Sequence, residues 1–314
     1  MNLKKLYFGG IILKIDAETR LVGVIGNPIS HSLSPVMHNA AFDALALNYI
    51  YMAFQVEKDD LEEAVKGIRA LGLAGINVTI PHKTCVIPFL DELSPEAEMI
   101  GAVNTIFNRN GKLIGYNTDG YGFEMALQEQ AGICLKDKNV FIIGAGGAAH
   151  AIAGQSVLSG ASSVTLTNRT FEKAKSLMEF LNRSSCRCNQ NAGKIIPWDK
   201  DAWRSILPHS DIIVNTTSIG MKGQGNLALD IPWDSIKKDA VFFDAVYTPM
   251  ETLFLKEAKR LGYKVVSGLY MLIYQGARAF ELWTGKRPPI EVMEKAVLTY
   301  FARKGEQDAE KTRE

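Results

Sequence analysis

Short apolar runs alternate along this chain with longer stretches whose apolar residues recur at helical spacing. Leu21 to Ile25 reads as a strand. Ser34-Pro35 then reads as a helix start, the serine able to cap free amides and the proline at the first helical position with its φ preset. That helix is expected to run to about Leu47. Tyr49 to Val56 is rich in strand formers, Asp59 to Leu71 is helical, and Gly75 to Ile80 and Lys112 to Tyr116 are further strands. A second series begins with a helix near Gly120 to Gln130. It continues through a strand Asn139 to Ile143, a helix Ala148 to Leu158, strands Ser163 to Thr167, Asp211 to Thr216 and Ala240 to Val246, and an amphipathic helix Tyr270 to Trp283. Alternation of this kind predicts an α/β fold with mostly parallel sheets, whose ligands lie beyond the carboxyl ends of the strands.

At 314 residues the chain is long enough for two such units. The expected division is a mostly parallel-sheet substrate-binding and catalytic domain, residues 1–118 plus 268–314, and a Rossmann nucleotide-binding domain, residues 119–267. The chain then crosses twice between them, with linkers near Asp119 and Gly268 as hinges.

Three polar motifs fall at strand ends: Ser30 to Ser34, Thr79 to Lys83, and Asn117 to Asp119. In Asn77-Val78-Thr79-Ile80-Pro81-His82-Lys83 an apolar run stops at a proline and hands over a lysine. Asn117-Thr118-Asp119-Gly120 offers a carboxylate where another strand gives way to a helix. An amine and an acid at two strand ends form a pair able to shuttle a proton across a cleft. The plainer alternatives are a surface ion pair between Lys83 and Asp119, or Asp119 as a helix cap.

Gly144-Ala145-Gly146-Gly147-Ala148-Ala149 follows a strand and opens a helix, the context that a dinucleotide fingerprint requires. Gly144 permits the tight turn, Gly146 lets the backbone approach a pyrophosphate, and Ala149 allows close helix packing, with the phosphates at the helix N-terminus. After the next strand stand Asn168, Arg169 and Thr170, with Lys173 one helical step on. An acid at that point favours NAD; a guanidinium clamps a 2′-phosphate instead, so NADP is the expected cofactor. A solvated surface arginine is the plainer reading of Arg169. Asn215-Thr216-Thr217-Ser218-Ile219-Gly220 is expected at another strand end near the cofactor, and Gln275 is expected to face the substrate cleft.

Charge narrows the partners. Lys+Arg 35 against Asp+Glu 34 gives a formal net charge of +1 and no footprint for nucleic acid or an anionic membrane, so the expected partner is a small molecule. No apolar run approaches the roughly 18 residues of a spanning helix. Met1 to Ile15 lacks the pattern of a cleaved signal, and the expectation is a cytoplasmic protein, monomer or homodimer, with a short N-terminal extension. The four cysteines, Cys85, Cys134, Cys186 and Cys188, are too few and too irregular for a disulfide framework and are expected to be thiols. Cys186 and Cys188 lack a second pair for zinc, the histidines lack HExxH spacing, and no metal is expected.

Taken in order, Gly26-Asn27-Pro28-Ile29-Ser30-His31-Ser32-Leu33-Ser34-Pro35, NVTIPHK, Gly101-Ala102-Val103-Asn104-Thr105, NTDG, GAGGAA and Asn168-Arg169-Thr170 resemble the shikimate dehydrogenase family, over about Leu21 to Trp283. The resemblance implies reversible, NADPH-dependent reduction of 3-dehydroshikimate to shikimate, a step of aromatic amino-acid biosynthesis by way of chorismate. It puts Ser32 and Ser34 on the substrate carboxylate and Thr79, Asn104 and Gln275 around the ring hydroxyls, and makes Lys83 and Asp119 the catalytic pair. It also implies Tyr247 near the substrate and Gly268 at the turn beside the nicotinamide. Lys173 stands where many NADP-using members have arginine, and Met1 to Arg20 has no counterpart in the motif pattern. The family includes quinate/shikimate dehydrogenases using NAD or NADP, of which Tyr51-Met52-Ala53-Phe54 and Leu282 to Lys286 are reminiscent. A nucleotide-sensing protein without chemistry is the alternative from another class, and the joint presence of Lys83, Asp119, Ser32 and Ser34 argues against it.

Overall fold

The computed structural model describes residues 15–185, 193–221 and 224–311. Most of the N-terminal extension, and Cys186 and Cys188, lie outside the described residues.

Two six-stranded sheets organise the chain. The first is built from β1 (Arg20–Gly26), β2 (Tyr49–Gln55), β3 (Gly75–Val78), β4 (Glu92–Leu93), β5 (Thr105–Arg109) and β6 (Lys112–Tyr116), in the order β2-β1-β3-β5-β6-β4. With it go α1 (Ser34–Ala44), α2 (Leu61–Ala70) and α3 (Pro95–Ile100). α4 (Asp119–Ala131) leads into the second sheet, formed by β7 (Asn139–Ile143), β8 (Ser163–Thr167), β9 (Lys194–Ile195), β10 (Ile212–Asn215), β11 (Val241–Asp244) and β12 (Lys264–Ser267). Between these strands run α5 (Gly147–Leu158), α6 (Phe171–Ser185), α7 (Lys200–Ile206) and α8 (Leu253–Arg260), and α9 (Gly268–Thr284) and α10 (Ile290–Lys311) follow the last strand.

Side-chain alternation explains the layering. Along β7, Val140 and Ile142 join a core with α4, α5 and α6, whereas Phe141 and Ile143 join the opposite core with α7 and α8. In the first sheet, Val22 and Val24 meet α1, α9 and α10 on one face, while Ile25 meets α2 on the other. Each sheet is therefore covered on both faces, and four-residue strands such as β3, β10 and β11 are buried throughout.

The second sheet is wholly parallel, in the order β12-β11-β10-β7-β8-β9. Its order reverses between β10 and β7, which makes the crevice above Ile143 and Asn215 the switch point where ligands bind. The first sheet departs from uniform parallel pairing, because β5 runs antiparallel to both β3 and β6. That reversal shapes the site. β1, β3 and β6 deliver loops from their carboxyl ends, whereas Asn104 reaches the same sheet edge from the amino end of β5, beside Asn77 and Tyr116.

Local boundaries differ from expectation at informative places. α1 stops at Ala44 rather than near Leu47, and its start is not capped by Ser34. Ser34 is the first helical residue; its backbone N–H donates to Ser32 Oγ at 3.3 Å, so the preceding serine takes that role. β3 ends at Val78, so Thr79 and Ile80 belong to the loop that carries Lys83.

Candidate active site

The loop after β3 holds Lys83 by backbone bonds on several sides. His82 N donates to Thr79 O at 2.9 Å, Asn27 N to Ile80 O at 3.0 Å, and Val103 N to Lys83 O at 2.8 Å. The buried His82 ring adds a contact at 2.8 Å from Nε2 to Val56 O, which as a carbonyl can only accept. Across the sheet edge, α4 begins at Asp119. Asn117 Oδ1 accepts the N–H groups of Asp119 and Gly120 at 3.1 and 3.2 Å, and its amide donates to Ala102 O at 2.9 Å. Asn117 thus performs the capping that sequence left open for Asp119. The Asp119 carboxylate is turned instead to Lys83, with Nζ to Oδ2 at 2.5 Å and only 16% and 9% of the two side chains exposed. A bland surface ion pair does not fit such burial.

A cavity of about 260 Å³ opens around this pair, near the lower end for ligand pockets and suited to a small polar molecule. Ser32, Ser34, Thr79, Asn104, Tyr247, Gln275, Ala148 and Gly268, all expected at the site, line it with Lys83 and Asp119. Asn104 is already heavily engaged: its Oδ1 accepts Thr118 N at 2.7 Å, and its Nδ2 donates to Thr118 Oγ1 at 2.9 Å and to Gln275 Oε1 at 3.3 Å. It therefore fixes the Thr118–Asp119 turn. The long bond to Gln275 is the weakest of the three and the one a hydroxyl ligand can most readily replace. Burial pushes the Tyr247 hydroxyl above its ordinary pKa, so it enters as a neutral donor and acceptor.

Asn77 was missed as a site residue. It lines the cavity, accepts from Tyr51 OH at 2.7 Å, and donates to Thr105 Oγ1 at 2.9 Å and Asn104 O at 3.1 Å. The available signal was a buried amide inside an otherwise apolar strand, Gly75–Val78.

The glycine turn stands at the cavity's other wall. Gly144 has φ +121°, and a Cβ on it would collide with Thr216 Oγ1, so the turn demands glycine at the switch point. A Cβ on Gly146 would meet nothing within 4 Å, and one on Gly147 would lie 3.5 Å from Lys83 Cδ. The α5 N-terminus, with Ala145 on the turn, therefore opens toward the lysine. Asn168, Arg169, Thr170 and Lys173 lie elsewhere, at the end of β8 and the start of α6; Arg169 is exposed and sits over the Trp198 ring at 5.8 Å. Trp198 was a second residue missed from sequence.

These features fit a dinucleotide: an open glycine cradle at a helix N-terminus for the pyrophosphate, and a supported guanidinium with no acid in the Asn168–Thr170 stretch for a 2′-phosphate. A Rossmann switch point whose glycine turn opens onto a lysine–carboxylate pair in a polar cavity defines a dinucleotide-dependent α/β dehydrogenase. Comparison with known proteins carries this further, and the chain belongs to the shikimate dehydrogenase family. The profile of the shikimate dehydrogenase substrate binding domain matches residues 24–106, that of shikimate / quinate 5-dehydrogenase residues 124–219, and that of the shikimate 5′-dehydrogenase C-terminal domain residues 268–298. A shikimate dehydrogenase (NADP(+)) of Methanococcus maripaludis is 47% identical over 284 residues, which cover 90% of this chain and 98% of that protein. A crystal structure of a shikimate dehydrogenase in complex with NADP+ superposes with a TM-score of 0.82 at 44% identity, covering 91% of this chain and 97% of the other. The shikimate 5-dehydrogenase of Listeria monocytogenes in complex with shikimate and NAD gives a TM-score of 0.84 at 38% identity, covering 90% and 98%.

Proposed function

We propose that this chain is an NADP-dependent shikimate dehydrogenase, catalysing the reversible reduction of 3-dehydroshikimate to shikimate in aromatic amino-acid biosynthesis. The observation that carries the reading is the Lys83–Asp119 pair, 2.5 Å apart in a polar cavity that the glycine turn also faces. Ser32 and Ser34 receive the substrate carboxylate, and Thr79, Asn104 and Gln275 receive ring hydroxyls; their neutral donors and acceptors suit a hydroxylated ring better than an apolar pocket does. Tyr247 lines the same cavity.

Gly144, Ala145, Gly146, Gly147, Ala148, Asn168, Arg169, Thr170, Lys173 and Gly268 would hold the reduced dinucleotide, which would supply the hydride for the carbonyl carbon. Negative charge then develops on the carbonyl oxygen. The Lys83 ammonium donates a proton to that oxygen, and in the reverse direction the neutral amine takes it back. One of its three N–H donors is committed to Asp119, which leaves two to point at substrate. Asp119 orients the ammonium and accepts from the neighbouring ring hydroxyl.

The same reading divides the chain into a substrate domain, residues 1–118 plus 268–314, and an NADP domain, residues 119–267. It is supported by the separation of the two sheets and by α4 and α9, which leave one sheet for the other side by side: a Cβ on Gly122 of α4 would come 2.6 Å from Met271 O of α9. The proposed setting is the cytoplasm, as monomer or homodimer; the described cysteines, Cys85 and Cys134, are both unpaired. Among the described residues no helix is long and apolar enough to cross a membrane.

A second reading, activity on quinate with either dinucleotide, is favoured by the profile over residues 124–219, whose description names both substrates. Quinate carries one further hydroxyl at the carbon bearing the carboxylate, the group that this reading assigns to half-buried Ser32 and to Ser34. Initial rates with shikimate and quinate, each against NADP and NAD, decide between them. Shikimate with NADP at least about tenfold above the other combinations supports the first reading, and dominant quinate and NAD turnover overturns it.

A further inference from the structure

Asp244 ends β11 and is fully buried, yet no cation touches it among the described residues. Its Oδ1 accepts from Asn215 Nδ2 at 2.9 Å and from Val246 N at 3.0 Å, and its Oδ2 accepts from Thr252 Oγ1 at 2.6 Å. Every one of these groups points a hydrogen at the carboxylate. Thr252 Oγ1 also accepts Leu255 N at 3.3 Å, capping α8, so one hydroxyl joins the carboxylate to that helix.

The bonding continues outward. Asn215, fully buried at the end of β10, donates to Ile219 O at 3.0 Å and accepts from Thr217 N and Oγ1 at 3.0 and 2.7 Å. Thr217 Oγ1 in turn accepts Ile219 N at 3.1 Å. One carboxylate thereby organises the loops after β10 and β11 and the start of α8. Ala245 and Tyr247, on either side of the bonded Val246, line the catalytic cavity. Gly268, the first residue of α9, is packed so closely here that a Cβ would come 2.5 Å from Ala245 O. α9 carries Gln275 into the same cavity.

We propose that Asp244 is a positioning residue for the reaction: its carboxylate ties the β10 and β11 loops into a buried knot that sets the Ala245–Tyr247 wall and the first turn of α9 against the substrate. The proposal rests on the dehydrogenase reading above. Burial pushes the Asp244 pKa up to about 7 in spite of these three donors. An amide in its place presents N–H where Oδ2 accepts the Thr252 hydroxyl, so that hydroxyl has to turn its hydrogen away and the charge-assisted bond from β11 to the start of α8 is lost. Displacements of about 1 Å far from the chemistry can cost on the order of 10² in rate, which is the scale expected here.

The test compares Asp244→Asn, Thr252→Val and Thr252→Ser with wild type in kcat and KM for shikimate, and in affinity for 2′,5′-ADP, a fragment that reaches only the Arg169 end. Turnover of shikimate with NADP by wild type is measured first and tests the underlying reading separately. D244N and T252V are expected to lose about 10- to 10²-fold in kcat/KM while binding 2′,5′-ADP within about twofold of wild type, and T252S is expected to keep wild-type kinetics. If D244N does not fold, the contrast of T252V with T252S decides. Wild-type kinetics in folded D244N and T252V, even with a lowered melting temperature, overturn the proposal. So does a parallel loss of 2′,5′-ADP affinity, which marks general loosening of the nucleotide half.

Discussion

Lys83 Nζ lies 2.5 Å from Asp119 Oδ2, although the two residues are 36 positions apart and follow different strands of the first sheet. The pairing depends on the antiparallel insertion of β5. Because β5 separates β3 from β6, the loop after Val78 and the turn after Tyr116 emerge at the same edge with Asn104 between them. Asn104 then holds the Thr118 N–H at 2.7 Å and fixes where Asp119 begins its helix.

Lys83→Ala removes the proposed proton donor but leaves the serine, threonine and amide lining in place. Turnover of shikimate is expected to fall by about 10² to 10⁴, or about 3–5 kcal/mol of barrier, with a much smaller change in KM. Steady-state kinetics at saturating NADP give both numbers. Intact turnover in this variant rules out the proton-donor role, whereas a rise in KM alone makes Lys83 a binding residue.

Asn117→Ala separates the cap from the chemistry. The variant removes the acceptor for the Asp119 and Gly120 N–H groups and the donor to Ala102 O, while leaving the Lys83 and Asp119 side chains untouched. A loss of about 1–3 kcal/mol in urea unfolding is expected, together with a lower kcat because the Asp119 turn is no longer fixed. Serine at this position keeps an acceptor and should recover part of the stability. Unchanged stability in the alanine variant contradicts the assignment of Asn117 as the cap.

Much of this arrangement was legible in the sequence where a local rule governs. The strands Lys112–Tyr116, Asn139–Ile143 and Ser163–Thr167 coincide with their apolar runs, since short buried strands are bounded by the polar residues that end them. Gly144 was legible because only a glycine accepts φ +121° beside Thr216. The reversal at β5 was not, since Thr105–Arg109 has the same composition whichever way it pairs. Nor were the roles of the buried amides. Ser34, Asn117 and Asp119 were each chemically able to cap a helix, and only the path of the chain decides that Asn117 does so while Asp119 turns to Lys83. Asp244, Asn215 and Thr252 likewise meet through contacts between loops that no spacing announces.

Arg169→Ala tests the cofactor end independently of the substrate end. The guanidinium is exposed, supported by Trp198 at 5.8 Å, and far enough from the cavity that it is not among the lining residues. Loss of a charge-assisted contact to a 2′-phosphate is expected to weaken NADP by about 1.5–3 kcal/mol, roughly ten- to hundredfold, while NAD changes less than about twofold. Titration of both dinucleotides into wild type and variant measures the difference. Equal losses for the two contradict a 2′-phosphate role.

His38 gives the fold an acid-sensitive point. Its ring is completely buried, stacked on Tyr51 at 4.4 Å and 2°, and neither ring nitrogen has a hydrogen-bond partner among the described residues. Burial lowers its pKa from 6.5 to about 3. The unfolded chain therefore binds a proton near 6.5 that the folded protein refuses until about 3, so the unfolded state holds more protons throughout that window. Stability is full above about pH 6.5 and falls as the pH drops toward 3. At pH ~4.5 the deficit from this one group is about 3 kcal/mol. Urea unfolding at pH ~7.5 and ~4.5 measures the difference, and His38→Leu, which keeps an apolar side chain of similar size against Tyr51 but cannot titrate, should remove that part of the acid loss. An undiminished acid loss in the leucine variant would falsify the assignment and move the sensitivity to other groups.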